Sequence, residues 1–309
     1  MKKFTVKTYS AVALDPIHIG TGGQRLGRVD ATVVREPVTN VPKIPGTSMS
    51  GAIKFFTDLS LRDKKEKINI CASTSGSDVI NNKHDNSKCA VCVAFGHTTD
   101  GKDAQQGILQ FTDAMLLAYP VNTLLGPVWI TTKSRLKDQL DIGDGNDDCD
   151  ENFIKLNGSQ INNPLGNRLN FGWAMLEQNR ESTISVTDLI DKGIEIRYAG
   201  RFIIVSDWVF AHLVNDNMEV RTSVVIDPET GAAETGGLFT FEAVARGAIF
   251  TFSITENQFN DNWSNLQNHK YATATEMIEE NAFNGIAAVG LGGMTTRGFG
   301  RLLITELGV

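Results

Sequence analysis

The stretch Gly290-Leu291-Gly292-Gly293-Met294-Thr295-Thr296-Arg297-Gly298-Phe299-Gly300 sets five glycines around one arginine. Glycines let a backbone approach a ligand closely and turn N–H groups toward an anion. Arg297 adds a charge-assisted donor for a phosphate. No Gly-Lys-Ser/Thr closes the stretch, so it is not a Walker loop. Gly290-x-Gly292-Gly293 leads into a strand, not a helix, so it is not a dinucleotide fingerprint. A tight structural turn is the plain alternative. Its flanks set the fold class: residues 250–254 read as a strand, 272–283 as a helix and 301–305 as a closing strand.

Working outward, residues 4–12 alternate polar and apolar side chains, which predicts an opening strand ended by Asp15-Pro16. Residues 20–27 form a glycine-rich turn, and the β-branched run 28–36 predicts a second strand. Pro42 and Pro45 mark a loop. Thr47 or Ser48 then caps a helix to about residue 63, since Met49, Ala52, Ile53, Phe56 and Leu59 recur at helical spacing. Strands are expected over 107–119, 128–132, 172–177, 194–198 and 202–205, and helices from Ser134 and Asp207. Strands over 219–226 and 237–244 flank Asp227-Pro228-Glu229-Thr230-Gly231, a long β-hairpin signal. The order is α+β. One elaborated domain over 1–309 is expected, with polar insertions at 68–97 and 141–168 and the hairpin at 218–245.

The composition is that of a globular chain, 41% hydrophobic and 21% charged over 309 residues. No run approaches the roughly 20 apolar residues of a membrane span. The opening residues lack a signal-peptide core, so a cytoplasmic protein with no membrane partner is expected. The net charge of −7 argues at first against nucleic acid. That charge is uneven: residues 1–67 sum to +6 and the remainder to −13. Asp138, Asp141, Asp144, Asp147, Asp148, Asp150 and Glu151 make one acidic segment, read as a solvated loop. It lacks the regular Asp/Asn alternation and terminal Glu of an EF-hand.

Four cysteines include the pair Cys89-Ala90-Val91-Cys92, a spacing that suits tetrahedral zinc. Cys71 and His84 lie upstream in the same polar segment, completing a Cys-x12-His-x4-Cys-x2-Cys set. A long polar segment cannot bury its own core, so a structural zinc is physically sensible. His97 or Cys149 are substitute ligands, and free thiols in a loop are the alternative.

The glycine loop, the opening His18-Ile19-Gly20-Thr21-Gly22, and the run from Ile44 through Gly46, Ser48, Ser50 and Gly51 to Lys54 together resemble the RAMP superfamily of CRISPR proteins. Gly27-Arg28-Val29-Asp30, Val34-Arg35-Glu36, the run Leu109 to Ala114, and Ile203 to Asp207 are similar to the Cas-seven-type backbone subunit of type III effectors. The hairpin ending Gly236-Gly237-Leu238-Phe239-Thr240-Phe241-Glu242 most resembles the Cmr (type III-B) version, whereas the cysteines are similar to those of Csm-type subunits.

The resemblance implies an RRM-like (ferredoxin-like) core with a hairpin thumb that displaces one guide base at intervals, and copies stacked along a guide RNA. Implied partners are guide RNA, target RNA, further copies of the chain and other type III subunits: a large Cas-ten-type subunit, a small subunit and other RAMP subunits. Ser48, Ser50, Lys54, Gly290, Gly292, Gly293, Arg297 and Gly298 become candidate RNA contacts. Asp30 becomes the candidate for cleaving target RNA by 2′-OH attack on the adjacent phosphate, with His18 and Glu242 as helpers. A divalent ion such as magnesium is a candidate cofactor for that step. A purely structural backbone subunit, and an enzyme binding a nucleotide phosphate on the glycine loop, are the competing readings.

Overall fold

A computed structural model describes residues 3–22, 29–63, 88–99, 103–145, 152–162, 164, 166–259, 261–266 and 270–308. In chain order the elements are β1 (Phe4–Ala13), β2 (Lys43–Ile44), α1 (Gly46–Asp63), α2 (Ala90–Phe95), β3 (Gly96–Thr99), β4 (Asp103–Gln106), β5 (Leu109–Phe111) and β6 (Ala114–Thr123). Then come β7 (Gly126–Thr131), α3 (Lys133–Leu140), β8 (Phe153–Asn157), β9 (Arg168–Phe171), β10 (Ala174–Ser185), α4 (Val186–Asp191), α5 (Ile196–Ala199) and β11 (Phe202–Ile204). The chain closes with α6 (Asp207–Asp216), β12 (Glu219–Ile226), β13 (Ala233–Ala243), β14 (Ile249–Asn257), α7 (Ala274–Val289) and β15 (Leu302–Glu306).

The expected core is there. β1, α1, β6, β14, α7 and β15 follow one another as β-α-β-β-α-β, and their strands lie side by side in the order β15-β1-β14-β6. Each neighbouring pair is antiparallel, the arrangement of a ferredoxin-like unit. α1 and α7 pack together on it. Met49, Ile53, Phe56 and Leu61 of α1 recur every three to five residues and are buried, as are Met277, Ile278, Ala282 and Ile286 of α7.

Between β6 and β14 the chain leaves this core and extends the same sheet through β7, β11, β8, β10 and β9. Leu117, Leu136, Leu140, Ile154, Leu189, Phe202 and Ile204 form a second apolar cluster there. The hairpin β12–β13 is a separate two-stranded sheet. Among the described residues no helix is long and apolar enough to cross a membrane.

Several local expectations change. Residues 141–168 are not loop throughout, because β8 pairs with β10 and β11 inside the sheet. Residues 194–198 give the short helix α5, not a strand. The run 107–119 breaks at Thr112 and Asp113 into β5 and β6. Residues 29–36 do not form a strand. They make isolated bridges, Gly20 with Val33, Ala31 with Phe241 and Arg35 with Pro42. A β-branched run with no continuous partner becomes an ordered loop, and its backbone groups pair elsewhere.

Candidate functional site

The functional candidates gather at the root of the hairpin, where β13 meets three loops. The first is the loop carrying Asp30. Its N–H groups at Asp30 and Ala31 both donate to the Thr240 carbonyl at 3.1 Å, and Glu242 N–H donates back to the Ala31 carbonyl. The loop therefore lies along β13 like an extra strand. Asp30 is exposed. Its Oδ2 accepts from Thr240 N–H at 2.7 Å and from the Thr240 hydroxyl at 3.0 Å. These donors, the backbone N–H first, hold its carboxyl below the ordinary Asp value. Asp30 is thus an ionised carboxylate at neutral pH, suited to accepting a hydrogen bond and poorly matched to a general base, whose best pKa lies near the working pH.

The second loop carries His18, which is buried. Its Nδ1 lies 2.7 Å from the Glu242 carbonyl, so Nδ1 is the donor. Ile17 bridges to Val244 on the same stretch of chain.

The third is the glycine loop. Gly293 N–H donates to the His18 carbonyl and Gly300 N–H to the Pro16 carbonyl, each at 3.0 Å. The two ends of the loop press together: a Cβ on Gly300, at φ +94°, would lie 2.2 Å from the Leu291 carbonyl oxygen. Phe299 stacks edge-on to Phe241, with ring centroids 5.4 Å apart, and Arg221 of β12 lies over Phe299. The loop is both a tight turn and an exposed surface, since Gly292, Gly293, Arg297 and Gly298 face solvent. The Arg297 N–H donates to the Met294 carbonyl, and its guanidinium has no hydrogen-bond partner among the described residues.

Glu242, expected as a helper in cleavage, lies beneath this loop in an ion pair. It is only 7% exposed. Its carboxylate receives Arg35 bidentately, Nη1 on Oε1 at 2.6 Å and Nη2 on Oε2 at 2.9 Å, and Val33 N–H on Oε1 at 2.8 Å. Burial pushes the Glu242 carboxyl up, but the Arg35 and Val33 donors outweigh it and bring it below the usual Glu value. Engaged in this way, Glu242 holds the Val33–Arg35 segment to β13. His18 is likewise buried, against Glu242, Gly20 and Gly293, where the three segments meet.

Ser48, Ser50 and Lys54 sit apart on α1, half-buried, with no hydrogen bond or ion pair among the described residues linking them to Asp30 or the glycine loop. The helix start is also corrected. Neither Thr47 nor Ser48 caps it; Asp113 does, accepting from Gly46 N–H at 2.8 Å while pairing with Lys43 at 2.5 Å. Ser48 and Met49 N–H groups donate to the Pro45 carbonyl. The helix N-terminus is therefore already supplied with an anion. Any phosphate contact here comes from the Ser48, Ser50 and Lys54 side chains, not from the open end of the helix.

Cys89 and Cys92 lie at the start of α2 and are buried. Cys71, His84 and Cys149 lie outside the described residues, as do Gly27 and Arg28. Among the described residues no three potential metal ligands cluster.

Sequence reasoning gave no role to Arg35, Thr240 or Asp113. Each acts on a partner distant in sequence: Arg35 is 207 residues from Glu242 and Asp30 is 210 from Thr240. The one readable signal was an arginine in a β-branched run and a glutamate in a predicted hairpin strand, two charges in segments expected to be half-buried.

The model of the RAMP superfamily matches residues 11–303. The chain belongs to the RAMP superfamily. This RAMP protein is 28% identical over 264 residues to the CRISPR system Cmr endoribonuclease Cmr4 of Pyrococcus furiosus, a match covering 81% of this chain and 80% of that one. Its fold is similar to a chain of the type III-B Cmr-beta complex bound to cognate target RNA, with TM-score 0.66, 18% identity and 98% and 97% of the two chains covered. It is also similar to oligomeric Cmr4 from Pyrococcus furiosus, with TM-score 0.58, 18% identity and 97% of each chain covered. The RAMP fold here thus spans both the ferredoxin-like core and the sheet extension beyond β6.

Proposed function

We propose that this chain is a backbone subunit of a type III CRISPR ribonucleoprotein, assembling in copies along a guide RNA and cleaving the paired target RNA. The observation that carries the reading is Asp30, an exposed, ionised carboxylate fixed to the hairpin strand. The likeness to Cmr4 supports the reaction class. A thumb over 218–245 that displaces a guide base would leave the facing target nucleotide unpaired beside Asp30, since the Asp30 loop is bonded to β13. Guide pairing then supplies sequence reading, and the protein holds backbone and shape. Cytoplasmic location follows from such partners.

In the reaction the target's 2′-oxygen attacks the adjacent phosphorus and the P–O5′ bond breaks. The 2′-OH proton passes to water and the leaving O5′ takes a proton from water, so the products are a 2′,3′-cyclic phosphate and a 5′-hydroxyl. Asp30 accepts a hydrogen bond from the 2′-OH and turns its oxygen into line with the leaving group. A nucleotide freed from helical stacking rotates into that geometry most readily. The Glu242 carboxylate on the same strand is engaged by Arg35. Among the described residues no three potential metal ligands cluster beside Asp30. In the assembled complex, Asp30→Ala is expected to abolish target cleavage with guide content unchanged. Unchanged cleavage would return the chain to a structural backbone role.

A structural zinc is proposed at Cys71, His84, Cys89 and Cys92. What supports it is the pair of thiols one turn apart at the start of α2, both facing the core. Bound there, zinc would cross-link the 68–97 insertion to the helix. Metal analysis of purified protein is expected to find about one zinc per chain. Less than about half that amount, with the thiols fully reactive, would leave free cysteines.

A further inference from the structure

Asp30 is held by one residue above all others. Thr240 gives it two donors on the same oxygen, N–H at 2.7 Å and hydroxyl at 3.0 Å, both to Oδ2. The Thr240 hydroxyl and carbonyl also receive Asp30 N–H, at 3.2 and 3.1 Å. No donor from another residue reaches Oδ1 among the described residues. Two residues further along β13, Glu242 fastens the same loop through Val33 and Arg35, and Arg35 Nε donates to Asn215 Oδ1 of α6 at 3.1 Å. The loop is thus fastened twice to a single strand, and the first fastening fixes the orientation of one side chain.

We propose that Thr240 is a positioning residue for target cleavage: its N–H and hydroxyl anchor Oδ2 of Asp30 to β13 and leave Oδ1 aimed at the RNA. The consequence is mechanical. β13 is also the return strand of the hairpin, so any shift of the hairpin carries Asp30 with it. The unpaired target nucleotide and the carboxylate stay in register because one strand sets both. This inference rests on the assignment of Asp30 to the cleavage step, and its test separates the two.

The test compares Thr240→Val, which keeps the β-branched shape without the hydroxyl, with Thr240→Ser, which keeps the hydroxyl with less packing. Each chain is assembled with guide RNA. Guide content, target affinity and the single-turnover cleavage rate at saturating target are measured, with Asp30→Ala alongside. Expected is a rate loss of roughly 10- to 100-fold for valine, the scale set by misplacing a catalytic group, with target affinity unchanged. Serine is expected to restore the rate to within about threefold of wild type. A role in packing alone would reverse that order, valine outperforming serine, and would overturn the proposal. So would a valine complex cleaving at the wild-type rate while Asp30→Ala is dead, or a valine chain that fails to assemble where serine succeeds. Full cleavage by Asp30→Ala would instead remove the reading on which the proposal stands.

Discussion

The root of the hairpin and the first turns of α1 are both polar, and they are built on opposite terms. At the root, the polar side chains meet partners within the chain: Asp30 with Thr240, Glu242 with Arg35 and Val33, and His18 with the Glu242 carbonyl. On α1, Ser48, Ser50 and Lys54 have no such partner among the described residues, and Arg297 in the glycine loop is alike. A side chain tied by several hydrogen bonds has already lost its rotamer freedom and can act on a bond without first being ordered. An unpaired lysine or serine at the surface gains its partner only when a ligand arrives. On the proposed function, the difference separates a region arranged for chemistry from one arranged for binding a polyanion.

The comparison breaks most sharply at Asp30. Asp30→Ala is expected to slow cleavage by about 10^3-fold, the scale of losing one preorganised hydrogen-bonding group at a reacting centre, with no change in guide affinity. Equal losses in cleavage and guide binding would erase the distinction. The next largest effect is on stability. Glu242→Gln leaves the Arg35 guanidinium without its carboxylate and is expected to cost about 3 kcal/mol, read as a lowered urea midpoint.

That cost carries a pH signature. Glu242 titrates below its ordinary value in the folded chain. The ion pair therefore stabilises fully above the unfolded value and is lost as pH falls through the folded one. The wild-type advantage over Glu242→Gln is expected to hold at neutral pH and to shrink below about pH 4. An advantage independent of pH would mean that the pair contributes by packing.

The smallest effects belong to the binding region. Lys54→Ala and Arg297→Ala are each expected to weaken guide binding a few-fold. Each should reduce the slope of log affinity against log salt by roughly 0.7, the value for one lost phosphate contact on a single strand. Cleavage per bound target should not change. A mutant that binds normally at every salt concentration would take its residue out of the RNA surface.

Much of the fold was legible. The alternation over residues 4–12, the helical spacing from Met49 to Leu59 and the turn at 227–231 each depend on neighbours in sequence, so they could be read locally. The errors came where partners are remote. Residues 28–36 have strand composition, but over 30–36 their backbone groups bond to β13, two hundred residues on, and to single bridges. Residues 153–157 sit in an acidic, polar stretch, yet Phe153, Ile154 and Leu156 fill the extended sheet. Asp113 was quoted only as part of a motif, and its task as the cap of α1 depends on β5 and β6 placing it there.

By itself, the sequence determined the α+β class, the order of the core elements, the glycine loop, the hairpin and the candidacy of Asp30. These follow from periodicity, from glycine and proline positions, and from a pattern of motifs in order. The tertiary structure decided what each charged group does. Glu242 and His18 were drawn into contacts within the chain, Asp113 took the N-terminus of α1, and Thr240 fixed Asp30. Charge is written in the sequence, but whether a charge meets a partner or solvent depends on segments that only folding brings within 3 Å.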